Sequence, residues 1–436
     1  MTVFFITFGC KVNCYETECI KGILKKRNFE IVSDSSSADI VIINSCTVTA
    51  SGDSRMLSAM KKVKKENPDS IILLTGCYPQ AFSKEAEKIA EADIIIGSKN
   101  KDNIPQILEK YLADHKRKIE IEMYTNHDNY DSLTCTEFPD NTRAFVKIQD
   151  GCNCFCSYCI IPYARGRCRS KPLDVLREEV HKIAENGVKE IVLAGINLAF
   201  YGKEFGLSLA DAVEVCCSVD NIQRVRLGSL EPEMMTDEQL ERLAVQKKFC
   251  PQFHLSLQSG CDRTLKAMNR KYTSGEYAEL VRRIREKFPV CNITTDVMVG
   301  FPDETDEDFR QSAEFVKNIG FGKIHVFRYS RRKGTVADKM ANQISEKVKS
   351  ERWQIMNEIA HISQKKFFDS RIGTTLPVLF ERENCTDFHN GYTPDYTYIK
   401  IPQKNFKKSL RNSIFYVRIV SSTSNCCIGE IVSSFK

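Results

Sequence analysis

The chain has 436 residues, of which 42% are hydrophobic and 9% aromatic, enough apolar content to fill the cores of about two or three domains. A formal charge of +6 and a pI near 8.4 are mildly basic, compatible with a nucleic-acid partner but too weak to establish one. Nineteen cysteines, an apolar start without a basic n-region and no run of about 18 apolar residues argue against a disulfide-stapled secreted scaffold and a membrane span; the expectation is a cytoplasmic protein whose thiols bind metal.

Val3 to Phe8, Asp39 to Asn44, Ser70 to Thr75 and Asp93 to Gly97 are short, apolar and rich in β-branched residues, with helical patterns such as ETECIKGILKK between them. Strands apolar on both faces and joined through helices predict a buried parallel sheet, here an open α/β domain over residues 1–112. Residues 113–142 are polar without a sustained period and read as a linker. The pattern then restarts. Strand candidates beginning at Ala144, Glu190, Arg224, Phe253, Thr294 and Lys323 alternate with helices, which predicts a partial (β/α)6 barrel over residues 143–371, ending in a long polar helix from about Ser345 to Asp369. Beyond Gly373, short runs broken by Pro, Gly and Asn predict a small antiparallel β-barrel over residues 372–436.

Laid on these strands, the cysteines acquire a pattern. Cys10, Cys46 and Cys77 each follow a predicted strand by one to three residues, and carboxyl ends of parallel strands share one edge, where ligands bind. The alternative is three small buried core residues. In the second domain, DGCNCFCSYCIIPYARG follows the first strand and holds Cys152, Cys156 and Cys159 as C-x3-C-x2-C. Three thiolates leave one iron of a cubane cluster without a protein ligand, as a catalytic centre requires. A closed zinc knuckle that adds Cys154 is the alternative; zinc sites normally present two separated pairs, which this stretch lacks.

These residues resemble the radical SAM superfamily, whose signature C-x3-C-x-aromatic-C is matched by CNCFCSYC with Tyr158 in the aromatic slot. FGCKVNCYETE, NSCTVT, TGCYPQ, LAGINL, RLGSLEP, HLSLQSGCDRTLKAMNRKY and TDVMVGFPDET extend the resemblance to the methylthiotransferases, and GCKVN followed by YETE points to their tRNA branch acting on N6-threonylcarbamoyladenosine. Cys14 and Cys154 depart from the family motifs and have no assigned role. The resemblance implies an N-terminal cluster domain, a radical SAM barrel and a C-terminal TRAM barrel. It implies two 4Fe-4S clusters, one on the catalytic trio Cys152, Cys156 and Cys159 and an auxiliary one on Cys10, Cys46 and Cys77, together with S-adenosyl-L-methionine and an unidentified electron donor. Cofactor contacts fall on Tyr158, on Gly195 and Asn197 at the methionine end, on Ser256, Gln258, Ser259 and Arg270 at the ribose and carboxylate side, and on Asp296, Gly300 and Arg328. The implied reaction adds a methylthio group to C2 of N6-threonylcarbamoyladenosine at tRNA position 37. The same chemistry on isopentenyl-adenosine tRNA or ribosomal protein S12 is the alternative within the family, and a zinc-organised RNA-binding protein is the alternative outside catalysis.

Two basic runs are candidate RNA contacts. Lys400, Lys404, Lys407, Lys408 and Arg411 are interleaved with Phe406, Phe415 and Tyr416, pairing phosphate-neutralising charge with faces that stack on bases. Arg165 and Arg167, with Arg169 and Lys171, follow the cysteine loop and are placed to steer an anionic substrate.

Overall fold

Alternate residues of the central N-terminal strands feed two different cores. The computed structural model describes residues 1–138, 142–382, 387–403 and 409–434. Its first sheet comprises β1 (Thr2–Thr7), β2 (Glu30–Ile31), β3 (Ile40–Ser45), β4 (Ile71–Gly76), β5 (Ile94–Ile96) and β6 (Lys118–Glu120), all parallel in the order β2-β1-β3-β4-β5-β6. Ile40, Ile42 and Leu73 face the helices Lys11–Lys25 and Ile104–Asp114, whereas Val41, Ile43, Ile72 and Leu74 face Met56, Met60 and Val63 of the helix Ala50–Glu66. Burial on both faces is why these strands read as continuous apolar runs.

The segment expected to be a linker is largely built into the structure. It supplies β6, an edge strand whose Ile119 remains exposed and so left no apolar pattern to detect. Leu133, Cys135 and Phe138 join the main barrel core, and the Tyr130 hydroxyl donates to the Lys147 carbonyl at 2.6 Å. This stretch is a packed strap between two sheets.

The second unit contains the six expected strands, β7 (Arg143–Asp150), β9 (Glu190–Gly195), β10 (Arg224–Leu227), β12 (Gln252–Leu255), β13 (Asn292–Val299) and β14 (Lys323–Arg328), plus the short β8 (Arg169–Ser170) and β11 (Ser229–Leu230). They pair as β10-β9-β7-β8 and β11-β12-β13-β14, and a bridge from Val225 to Phe249 joins the two halves. Among the described strands β7 and β14 do not pair, so the barrel is open along one side. The long helix Glu346–Asp369 packs on β14, where Trp353 Nε1 donates to the Val326 carbonyl at 3.1 Å.

The C-terminal strands β15 (Thr375–Phe380), β16 (Phe388–Tyr392), β17 (Tyr398–Pro402), β18 (Ile414–Ser422) and β19 (Cys427–Ser434) close into a barrel, antiparallel except for the β17–β19 pair. This module seals the amino end of the larger barrel. Arg224 donates to the carbonyls of Tyr392 and Pro377, both at 2.8 Å, and Arg226 donates to that of Pro394 at 2.8 Å while lying over the Tyr396 ring. Arg143 pairs with Glu381, and all three arginines surround the buried Glu190.

Candidate active site

Two glycines bring the N-terminal thiols together. Cys10, Cys46 and Cys77 follow β1, β3 and β4 at one sheet edge, with Gly9 before Cys10 and Gly76 before Cys77. Gly9 has φ +113, and a Cβ there would lie 3.1 Å from Cys46 Sγ; Gly76 has φ +103, and its Cβ would lie 2.4 Å from the Ser45 carbonyl oxygen. Only glycine holds such backbone at such contact distances. Asn13 ties the edge together by donating to the carbonyls of Phe8 and Ser45 at 2.8 and 2.9 Å. Burial pushes the Cys77 thiol up to about 11, against the pull of Arg165, and raises Cys46 as well. Cys10 is exposed.

The second trio lies on the loop after β7. Gly151, at φ +72, allows the loop to pass the Arg167 carbonyl, which a Cβ would meet at 1.9 Å. Ser157 anchors the far side by donating from N–H to Met268 O at 3.0 Å and from Oγ to Ala267 O at 2.9 Å. Cys154 N–H donates to Cys152 Sγ at 3.5 Å, and hydrogen bonding with Cys154 pulls the Cys152 thiol down to about 7. Burial drives Cys159 up to about 12. Burial also raises Cys156, opposed by Arg270, whose Nη1 lies 3.4 Å from Cys156 Sγ.

Several predicted contacts gather around this loop. Asn197 Nδ2 donates to Cys154 Sγ at 3.3 Å and reaches Cys152 Sγ at 3.7 Å, while its buried Oδ1 has no hydrogen-bond partner. Gly195 packs on Gln149, whose Oε1 accepts the Asn197 N–H at 2.6 Å. Arg270 donates to the Ser256 carbonyl at 3.0 Å and pairs with Glu231. Gln258, at φ +66, accepts from Met298 N–H and donates to Asp296 O, both at 2.8 Å, and so kinks the chain at the end of β12. Asp296 pairs with His254 at 3.2 Å, and the Tyr158 ring packs edge-on against Phe301.

Three others contact different partners. Ser259 is fully buried, with its hydroxyl 3.5 Å from that of Ser312 in the outer helical layer. Gly300 gives its N–H to Glu304 at 2.7 Å beside Lys349, and Arg328 is exposed, 3.9 Å from Glu346. Glu231 and Gln149 were not singled out from sequence; Glu231 sits directly after β11 in RLGSLEP, where a lone acid beside a strand end was the available signal.

The basic run after the loop requires a correction. Arg165 has no exposed surface: its Nε donates to Cys77 Sγ at 3.2 Å, Nη2 donates to Asn13 Oδ1 at 2.7 Å, and it pairs with Glu16. An RNA contact is closed to it. Arg169 and Lys171 are likewise buried, Lys171 against Glu179, so only Arg167 of the run is exposed. The reason lies far away in the chain: Lys101 and Lys147 converge with Arg165 on the same buried Glu16, from both domains. A second tie joins Arg332 to Asp53 at 2.7 Å and to Thr47 at 2.6 Å. In the C-terminal run, Lys400 lies over Phe388 and Tyr398 and Arg411 is exposed; Lys404, Lys407 and Lys408 lie outside the described residues.

The donor sets suit iron–sulfur chemistry better than a single ion. Among the described residues, the only three ligand side chains with donor atoms all within 4.8 Å are Glu16, Asp131 and Asp150, already neutralised by Lys147 and Arg165. Neither thiol trio is drawn to the spacing of about 3.8 Å between sulfurs that tetrahedral zinc imposes. All-thiol trios match the ligand preference of a cubane cluster, and the orphaned Asn197 Oδ1 offers an acceptor to a ligand beside it.

Residues 146–316 match the Radical SAM superfamily, and residues 2–97 match a family described as Uncharacterized protein family UPF0004. The chain is 37% identical over 411 residues to the Aquifex aeolicus protein named threonylcarbamoyladenosine tRNA methylthiotransferase MtaB, covering 94% of this chain and 98% of that one. It is 34% identical to the Bacillus subtilis protein of the same name, over 91% and 89% of the two chains. A Pelotomaculum thermopropionicum protein named tRNA-2-methylthio-N(6)-dimethylallyladenosine synthase is 36% identical over 87% and 86%. Among solved structures, the radical S-adenosylmethionine methyltransferase TsrM from Kitasatospora setae shares the fold, with a TM-score of 0.56 at 14% identity over 77% of this chain and 73% of that one. With both domain matches and relatives spanning nearly its whole length, the chain belongs to the MtaB-type radical SAM methylthiotransferases, enzymes that carry two 4Fe-4S clusters and use S-adenosyl-L-methionine.

Proposed function

We propose that the protein methylthiolates tRNA at C2 of N6-threonylcarbamoyladenosine in position 37, beside the anticodon. The observation that supports this most is the contact between Arg165, which closes the helix following one thiol trio, and Cys77 of the other. Sulfur delivery needs both centres at one cavity, and this contact joins their supports. In this reading Cys152, Cys156 and Cys159 hold the catalytic cluster, and Cys10, Cys46 and Cys77 hold the auxiliary one. When bound, the clusters and S-adenosyl-L-methionine supply one-electron cleavage of a carbon–sulfur bond and the sulfur and methyl group of the product.

The protein's own residues orient and charge-balance this chemistry. Asn197, fixed through its N–H by Gln149, presents a free carbonyl oxygen to the methionine end of the cofactor. Glu231 holds the Arg270 guanidinium against Cys156, a fixed cation that would offset the negative charge of a cluster held there and would bind a cofactor carboxylate. Arg167, Lys400 and Arg411 remain as RNA contacts, joined in this proposal by Lys404, Lys407 and Lys408. A one-electron donor completes the set of partners in a cytoplasmic setting; no described helix is long and apolar enough to cross a membrane.

Relatives named for dimethylallyladenosine match about as well as those named for threonylcarbamoyladenosine, so the choice of N6 group rests on the GCKVN motif. Anaerobic turnover on tRNA, read by nucleoside mass spectrometry, tests it. A 2-methylthio derivative of N6-threonylcarbamoyladenosine is expected. Product only on isopentenyl-adenosine, or only on ribosomal protein S12, would replace this reading, and stoichiometric zinc without iron would remove catalysis altogether.

A further inference from the structure

Lys11 is the first residue of the helix Lys11–Lys25, next to Cys10, and this helix packs on β7 and β9 of the barrel. The charged groups closest to it electrostatically are Arg226 on β10, Arg143 on β7 and Glu190 on β9, and it also acts on His325 of β14. The strands that carry these residues, β7, β9, β10 and β14, lie on either side of the barrel's opening. Lys11 is nevertheless exposed, so its ammonium is open to a ligand instead of sealed in a packed core.

The cations around it are already committed. Arg226 is held by Glu190 and the carbonyls of Thr393 and Pro394, and Arg143 by Glu381 and the rings of Tyr392 and Tyr396. The acid they share, Glu190, is outnumbered by Arg143, Arg224 and Arg226. Among the described residues, the Lys11 side chain makes no hydrogen bond or ion pair, whereas the buried Lys101, Lys147 and Lys171 each have a carboxylate partner. Surplus positive charge beside one exposed, uncommitted ammonium fits a ligand that brings its own anion.

We infer that Lys11 is a specificity-determining residue whose ammonium binds the carboxylate of the threonylcarbamoyl group. The inference rests on the tRNA reading above and deepens it: the threonyl substituent carries a carboxylate that an isopentenyl substituent lacks, and Lys11 stands beside the thiol trio to which the sulfur role is assigned. Arg143 and Arg226, each already paired with a carboxylate, raise the local potential.

The test uses the full-length holoenzyme and two anticodon stem-loops, one with N6-threonylcarbamoyladenosine and one with its threonine carboxamide, which removes the charge and preserves the shape. The wild type is expected to favour the carboxylate by roughly tenfold to a hundredfold in kcat/KM, the range for a charge-assisted hydrogen bond. Lys11→Gln should lose that preference by slowing only on the carboxylate substrate, and Lys11→Arg should restore most of it. Iron content and S-adenosylmethionine cleavage identify any variant with cluster damage; if Lys11→Gln is damaged, the Lys11→Arg ratio decides. Equal loss on both stem-loops, or a wild type indifferent to the charge, overturns the assignment. A wild type inactive on both stem-loops and on whole tRNA overturns the functional reading beneath it instead.

Discussion

Arg165 Nε lies 3.2 Å from Cys77 Sγ, although 88 residues separate them and they belong to different domains. The same guanidinium reaches Asn13 and Glu16 on the helix that follows Cys10. One fully buried cation thus holds the edge of the N-terminal sheet against the helix that follows the loop of Cys152, Cys156 and Cys159. Arg165→Met is expected to lower stability by about 3–5 kcal/mol, because it removes one of the three cations on the buried Glu16 and leaves Asn13 Oδ1 without its donor. Chemical denaturation measures that loss. Arg165→Lys should recover only part of it, since an ammonium cannot reproduce the guanidinium fork. A loss below about 1 kcal/mol for the methionine variant would match a surface pair and contradict the network described here.

The two thiol trios are expected to separate by function. Changing Cys152, Cys156 and Cys159 to Ala should abolish S-adenosylmethionine cleavage and remove about four of eight irons per chain. Changing Cys10, Cys46 and Cys77 should remove a similar number and leave cleavage intact, with no methylthio product. Product formed by the second triple variant would argue that sulfur comes from elsewhere.

Gly76→Ala should act on one centre selectively. At φ +103, with the new Cβ 2.4 Å from the Ser45 carbonyl oxygen, the substitution costs roughly 1–3 kcal/mol in backbone strain before the clash is relieved, and relief must displace Cys77. Electron paramagnetic resonance of the reduced protein should show loss of the auxiliary signal with the catalytic signal retained. Equal loss of both would point to general unfolding.

Acid should weaken the domain interface first. Burial alone would raise the Glu16 carboxyl, but Arg165, Lys101 and Lys147 overcome it and hold the group well below its ordinary value of 4.5. A depressed folded pKa contributes stability that is fully present above the unfolded value and is lost as pH falls through the folded one. The melting temperature should therefore hold steady near neutrality and fall below about pH 4.5, with a shallower decline in Glu16→Gln. Parallel acid profiles for the two proteins would assign the effect to other carboxylates.

How far the sequence discloses this architecture depends on the range of the interactions. Ile40 to Ile43 and Ile72 to Leu74 are buried on both faces, and continuous apolar runs signal that locally. The cysteines were legible for a similar reason, because strand ends share an edge whatever the side-chain details. Lys118–Glu120 was not legible: an edge strand buries too little to impose a pattern. Arg165 misled because a basic residue in a basic run looks solvated, and its partner Glu16 lies 149 positions earlier in the chain. Glu231 was passed over because its role depends on Arg270, which approaches from another strand's loop.

The Tyr392–Tyr396 turn makes the C-terminal module a stopper as well as the surface proposed for nucleic acid. Cutting the chain after the long helix would leave the larger barrel a tube open at both ends, with Arg224 and Arg226 stripped of their carbonyl acceptors. A truncation meant to remove only the proposed RNA grip would also let bulk water in at the amino end of the barrel.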